Sequence, residues 1–205
     1  MASAQTSPAS SSRHASPTFQ VSLAGVDVRA AEVISQLASI ASLRDGDSFN
    51  QFCKRACELW KSSFPQGLPG KARAGELFTG LLSQISPSNA ETIPTPWGGV
   101  VIKKHEHPHV EKWLVIKEGG YLALEHHSKK QERIEVREGV GILLSGKSPE
   151  SSQLTLRIMT PGTSAEFAPG EVHCLIGCQD VAVWEVSEDH LGMDKDLLFI
   201  FTPVA

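Results

Sequence analysis

Glu125, His127 and Glu132 lie close together in GGYLALEHHSKKQERIEVREG at 119–139, and His173 follows in APGEVHCLIG. In a strand, side chains alternate between two faces, so YLALEHH puts Tyr121, Ala123, Glu125 and His127 on one side. Leu122, Leu124 and His126 take the other. After the turn SKKQ, the next strand sets Glu132, Ile134 and Val136 against Arg133, Glu135 and Arg137, and the second set is solvent-facing. Glu125, His127 and Glu132 can therefore converge inside a barrel. The Pro169-Gly170 turn delivers His173 onto a further strand as a fourth donor, with Cys174 pointing the opposite way. Carboxylates combined with imidazole suit a divalent metal of borderline hardness, zinc first, with iron or manganese as alternatives. Such an ion offsets the unfavourable burial of these polar groups together.

The elements that must position these groups change character along the chain. Residues 1–25 form a Ser-, Ala- and Pro-rich tail, read as disordered because it has too little apolar surface to offset chain entropy. Its Ser-rich, acid-poor start also fits an organelle transit peptide, the alternative to a cytoplasmic location. Residues 26–90 carry helical periodicity. Asp27 caps a helix with Val33, Ile34, Leu37 and Ile40, and Asp47 caps one with Phe49, Phe52, Cys53, Ala56, Leu59 and Trp60. A third helix holds Leu77, Phe78, Leu81, Leu82 and Ile85. These amphipathic helices pack on the rest of the chain or on a second subunit. From residue 91 to 205 the period becomes alternating. About ten short runs such as EKWLVIK, VGILLS and LLFIF, separated by Gly, Pro and Ser, read as an all-β barrel or sandwich.

The 205 residues are 40% hydrophobic and 20% charged, with a formal net charge of -4. That composition excludes a wholly disordered or collagen-like chain. It also argues against a nucleic-acid partner bound through bulk positive charge. No run of about 18 apolar residues exists to span a membrane. The four cysteines fall as Cys53/Cys57 and Cys174/Cys178. Cys53 and Cys57 share one helix face and read most simply as small core residues, rather than half of a metal site or a redox pair. Residues 141–148, GILLSGKS, match a phosphate-loop pattern letter for letter, but Pro149 and a strand-like run follow where a helix is required. The cluster His105, Glu106, His107 and His109 reads as an exposed loop between strands.

The spacing Gly119-x5-Glu125-x-His127-x4-Glu132-x6-Gly139 resembles the first motif of the cupin superfamily, with Glu125 in place of its first His. Gly170-x2-His173 is similar to the second motif, with Gly177 in place of its Asn. TPWGG at 95–99, EKWLVIKEGGYLALEHH and WEVSEDHLG at 184–192 look like the cupin domain of type II mannose-6-phosphate isomerases, over roughly residues 94–200. The resemblance implies a mainly β fold: a cupin double-stranded β-helix, or jelly-roll barrel, behind a small N-terminal helical region. It implies metal ligands Glu125, His127, Glu132 and His173, a small-molecule substrate of sugar-phosphate type, and a homodimer. Aldose–ketose isomerisation needs a base and an electrophile. Glu185, inward by alternation with Val183, is the candidate base, and Lys112 joins it as a catalytic candidate. Lys130 and Trp97 are substrate-binding candidates, whereas Arg133 should face outward. The alternatives are a metal-dependent dioxygenase and a non-catalytic sugar- or metal-binding module, since one fold serves many chemistries.

Overall fold

A computed structural model describes residues 17–22, 27–66, 75–87 and 89–203. Strand β1 (Thr18–Ser22) precedes helices α1 (Val28–Ile40), α2 (Gly46–Ser63) and α3 (Glu76–Leu82). Then come β2 (Thr92–Thr95), β3 (Gly98–Glu106), β4 (His109–Ile116), β5 (Leu124–His127), β6 (Gln131–Glu138) and β7 (Gly141–Gly146). The chain ends with β8 (Gln153–Met159), β9 (Ser164–Phe167), β10 (Val172–Gly177), β11 (Val181–Glu188) and β12 (Leu197–Phe201). One sheet runs β1-β8-β7-β10-β5-β12 and the other β2-β3-β4-β11-β6-β9.

The central eight strands pair as nested antiparallel partners: β7 with β8, β6 with β9, β5 with β10 and β4 with β11. From β4 to β11 the chain therefore crosses between the two sheets at every step except the central β7–β8 hairpin, which is the jelly-roll arrangement of a double-stranded β-helix. The phosphate-loop look-alike is strand β7 and the turn into β8, with no helix after it. No helix among the described residues is long and apolar enough to cross a membrane.

Three apolar layers hold this together. Leu114, Ile134, Val136, Leu143, Leu175 and Val183 fill the space between the sheets. The outer face of the first sheet is also apolar, through Ile142, Leu144, Leu156, Cys174 and Ile176. Its exposure would forfeit about 1.5–3 kcal/mol for each large side chain. Helices α1 and α2 cover it with Ile34, Leu37, Phe49, Cys53 and Trp60, all almost fully buried. That double burial explains why β10 (VHCLIG) is buried at every position. The partner of these two helices is thus the chain itself. Helix α3 covers the other sheet, placing Phe78 and Leu81 on Val101, Val115 and Ala182.

Two local expectations are corrected. Asp45, not Asp47, caps α2: its carboxylate accepts from Ser48 N at 2.8 Å and the Ser48 hydroxyl accepts in return from Asp45 N, a reciprocal capping box. Asp47 lies inside the first turn, where it still favours the positive end of the helix. Within the expected tail 1–25, residues 18–22 form β1, parallel to β8. Phe19 and Val21 alternate onto the helix-side core, and Phe19 stacks on Phe52 at 5.6 Å. Pairing satisfies the free edge of β8, which a Ser-rich composition average conceals. Residues 1–16 and 23–26 lie outside the described residues.

Helix α3 is short and has no side-chain cap of its own. The buried Glu138 carboxylate from β6 serves instead, accepting from Gly75 N and from Phe78 N, the latter at 3.0 Å. Glu138→Ala should therefore destabilise the fold by about 2 kcal/mol, because two amides lose a charged acceptor. Urea unfolding measures this, and an unchanged midpoint would show α3 to be held by its apolar face alone.

Candidate metal centre

Both sheets contribute inner-face side chains to one end of the barrel. Lys112 on β4 lies directly across from Glu185 on β11, and Ser187 lies across from Glu132 on β6. From the other sheet come Glu125 and His127 on β5 and His173 on β10. Gly170 (φ 87°) makes the turn into β10, a conformation glycine adopts without a Cβ clash, and its N–H donates to His127 O at 2.7 Å. The turn that delivers His173 is thereby tied to the strand carrying His127.

His127, Glu132 and His173 present donor atoms all within 4.8 Å of one another, and all three are buried. Glu132 stands between the imidazoles, 2.8 Å from His173 Nε2 and 3.6 Å from His127 Nε2. Each ring is fixed from behind. His127 Nδ1 lies 2.9 Å from Asp196 Oδ1, and His173 Nδ1 lies 3.3 Å from the Glu171 carbonyl. Phe167 stacks on His173 with ring centres 4.2 Å apart. A carboxylate or carbonyl behind Nδ1 fixes the tautomer that offers Nε2, as metal-ligating histidines require.

Glu125 departs from the expected ligand set. It faces His173 across the β5–β10 ladder and lines the same cavity, but its carboxylate stands outside the His–Glu–His cluster. That carboxylate makes no hydrogen bond or ion pair among the described residues. Burial pushes its pKa up to about 7, against the opposing pull of His173. Tyr121, expected on the inward face with Glu125, turns instead into the helix-side core and donates to Asn50 Oδ1 at 2.5 Å. The regular ladder of β5 begins only at Leu124, so strict alternation does not extend back to residue 121.

The lysines expected to meet substrate are engaged by the protein. Lys130, on the β5–β6 turn, places its ammonium 2.7 Å from Glu132, Glu185 and Asp194 alike, and 3.3 Å from His127 Nε2. Lys112 contacts Asp194 at 2.5 Å and Glu185 at 3.3 Å. Burial opposes a charge on either amine, but Glu185 and its neighbours outweigh this and both remain ammonium ions. Glu185, the expected base, also accepts from Ser187 at 3.1 Å, so its lone pairs are largely engaged. Burial would raise Glu132, yet Lys130 and His173 hold it well below the carboxylate range. Burial would likewise lower His173, and Glu132 draws it upward instead. Arg133 faces outward beside Glu135 and Glu166, as expected, and Trp97 lines the cavity. The His105–His109 segment forms the exposed β3–β4 hairpin end, away from the cavity.

Asp194 and Asp196 are site residues that the sequence reading missed. Asp189, buried, accepts from Gly192 N at 2.8 Å and from Asp194 N, and so curls this loop. Asp194 takes a left-handed backbone (φ 59°), which aspartate tolerates, and its carboxylate reaches both lysines. Burial would raise it, but Lys112 and Lys130 draw it down to about 2. Three aspartates around a glycine after β11 are the signal that the sequence carries for this loop.

The cavity has a volume of about 460 Å³. Its walls beyond the charged end are apolar, including Pro96, Trp97, Leu114, Leu122 and Phe199. Four carboxylates, Glu132, Glu185, Asp194 and Asp196, exceed the two ammonium groups by two charges. The donor chemistry and this excess both fit a divalent cation held by His127, Glu132 and His173.

No protein-family model matches the sequence, and no curated protein matches it. Solved structures share parts of its strand arrangement. Oxalate decarboxylase from Lactobacillus farciminis, in a formate complex, has 14% identity and a TM-score of 0.46 over 58% of this chain and 34% of that one. A Klebsiella pneumoniae protein with a double-stranded β-helix domain has 16% identity and a TM-score of 0.43, covering 64% and 94%. A cupin-superfamily sugar phosphate isomerase from Silicibacter pomeroyi has 17% identity and a TM-score of 0.34, covering 40% and 50%. The match thus spans about a third of the oxalate decarboxylase, and likeness at this level assigns no activity.

Glu125 has a measurable signature in metal-free protein. Its folded pKa lies above the unfolded value of 4.5, so its stabilising proton is fully in place below pH 4.5 and lost as pH rises through about 7. Relative to Glu125→Gln, the native chain should lose stability across that window, levelling off at about 3 kcal/mol. Thermal melts in chelator from pH 4 to 8 report this, and parallel curves would place the carboxyl in water.

Proposed function

We propose that this protein is a metal-dependent enzyme acting on a small hydroxy-carbonyl substrate, with aldose–ketose-type proton transfer as its reaction. The observation that carries the reading is the buried His127–Glu132–His173 cluster, each imidazole held from behind, at the polar end of the cavity. His127, Glu132 and His173 would hold a divalent ion, which would supply an electrophile for a substrate carbonyl or hydroxyl oxygen. Glu125, the cavity-facing carboxyl without a partner, is the group placed to move a proton between adjacent carbons. Lys112, Lys130, Glu185 and Asp194 hold the charge balance around it rather than reacting. The apolar walls, Trp97 among them, exclude water and pack against the carbon skeleton.

Sugar phosphates remain within this class, but both cavity lysines are already matched by carboxylates. A neutral or singly charged substrate therefore fits better than a phosphate dianion. A second reading, iron-dependent oxygenation, is favoured by the two-histidine, one-carboxylate donor set and the apolar walls.

Calorimetric titration of chelator-stripped protein with zinc, manganese and iron(II) should give one site. His127→Ala should abolish it, and Asp196→Asn should weaken it about 10–100-fold. With metal restored, hydroxy-carbonyl substrates, with and without phosphate, should take up solvent deuterium beside the carbonyl, and Glu125→Gln should suppress the uptake. Oxygen consumption by the iron form without deuterium uptake would favour the second reading. A native chain that binds none of the three metals removes both.

A further inference from the structure

The four cysteines, far apart in sequence, meet across the contact between α2 and β10. Cys53 and Cys57 stand one helical turn apart on the face of α2 that covers the first sheet. Cys174 lies on β10 and Cys178 just past its end, and both belong to the helix-side core. The two sets meet in one apolar cluster, Cys53 facing Cys174 and Cys57 facing Cys178, and the Cys57 thiol donates at 3.6 Å to the carbonyl of Gly177, the residue before Cys178. All four thiols are free. They do not draw together tightly enough to form a four-sulfur metal cluster among the described residues. What the geometry offers is two separate dithiol pairs bridging helix and sheet.

The pairs differ in access. Cys53 and Cys174 are completely buried. Cys57 is only partly buried, at the edge of the same cluster, and Cys178 lies directly behind it at 3% exposure. Around Cys57 stand the Gly177 carbonyl at 3.6 Å and the carboxylates Glu58 and Glu118, the latter paired with Lys61 at 3.0 Å. The facing Cys178 draws the Cys57 thiol below its ordinary range, against burial and the two carboxylates. Burial pushes Cys178 the other way, so it stays a thiol. An accessible sulfur beside a protonated one is the division of labour between an attacking and a resolving cysteine.

We propose that Cys57 and Cys178 are a hydroperoxide-responsive thiol pair that closes to a reversible disulfide, stapling helix α2 to the end of β10. In the first step the Cys57 thiolate attacks one oxygen of hydrogen peroxide. An S–O bond forms, the O–O bond breaks, and the departing hydroxide takes up a proton as water. Sulfur is oxidised by two electrons and the peroxide is reduced. In the second step the Cys178 sulfur displaces the hydroxyl from the Cys57 sulfenic acid. The S–S bond forms, the S–O bond breaks, and the Cys178 proton leaves with the hydroxyl as water. A small dithiol returns both thiols by exchange. The staple joins residues far apart in the chain, so it fixes α2 over the sheet that carries His173 without entering the metal centre.

The test uses the full chain, reduced, desalted and kept in chelator. Excess hydrogen peroxide should lower the free-thiol count from four to two, and peptide mapping should recover a Cys57–Cys178 crosslink that dithiothreitol reverses. In Cys178→Ser, Cys57 should stop at a sulfenic acid that dimedone traps. In Cys57→Ser, the three remaining thiols should persist. The crosslink in the native chain decides the matter even if a serine variant fails to fold. Four thiols persisting at a peroxide excess that oxidises glutathione, or a crosslink joining any other two cysteines, would overturn the proposal.

Discussion

Burying Glu132 between two imidazoles and an ammonium ion constrains the whole barrel end. An isolated carboxylate in such a place costs several kcal/mol, and its attraction to neighbours repays this only when the geometry is close. Here Lys130 stands 2.7 Å away and His173 2.8 Å away. Glu185 and Asp194 must then be present to meet the rest of the Lys130 charge, and Lys112 to meet theirs. Each group is tolerable only because the next is in place. Removing one leaves a charge stranded in an apolar wall, so the cluster behaves as a unit.

That unit accounts for the layering outside it. A metal site in a barrel must be rigid, because a misplaced ligand loses most of its contribution. The first sheet carries His127 and His173 on its inner face and is stiffened by burial on its outer face under α1 and α2. The second carries Glu132, Glu185 and Lys112, and α3 is fastened to it through Glu138. Among the described residues, the helices place no side chain in the cluster. Their role is to keep both faces of the ligand-bearing strands out of water, with the aromatic groups Phe49, Tyr121 and Phe201 packed at the junction.

Legibility in the sequence followed the physics of each element. The inward set Glu132, Ile134 and Val136 was readable because β6 is a regular strand with one polar face, and Lys112 and Glu185 follow the same rule on β4 and β11. His173 was readable because a Pro-Gly turn fixes where its strand starts. The Glu125 carboxylate was placed on the right wall but assigned to the cluster, because alternation gives a face and not the reach of a side chain. Asp194 and Asp196 were illegible by periodicity: they sit on a curled loop whose shape depends on Asp189 and on a positive φ at residue 194. Lys130 was legible as a pocket residue but not as an internal counter-ion, since pairing depends on partners from β6, β11 and that loop at once. Strand β1 was hidden because five residues of alternation are outweighed by the composition around them.

The nested ladder also orders assembly. The innermost pair, β7 with β8, closes a short loop, whereas β5 must find β10 and β4 must find β11 over progressively longer stretches of chain. Loop-closure entropy rises with each enclosing pair, so the hairpin at the centre forms most cheaply and the outer pairs zip onto it. The residues that hold the charge cluster belong to the middle and outer rungs. The ionic end of the barrel is therefore assembled only as those rungs close, together with the apolar side chains that the same strands carry.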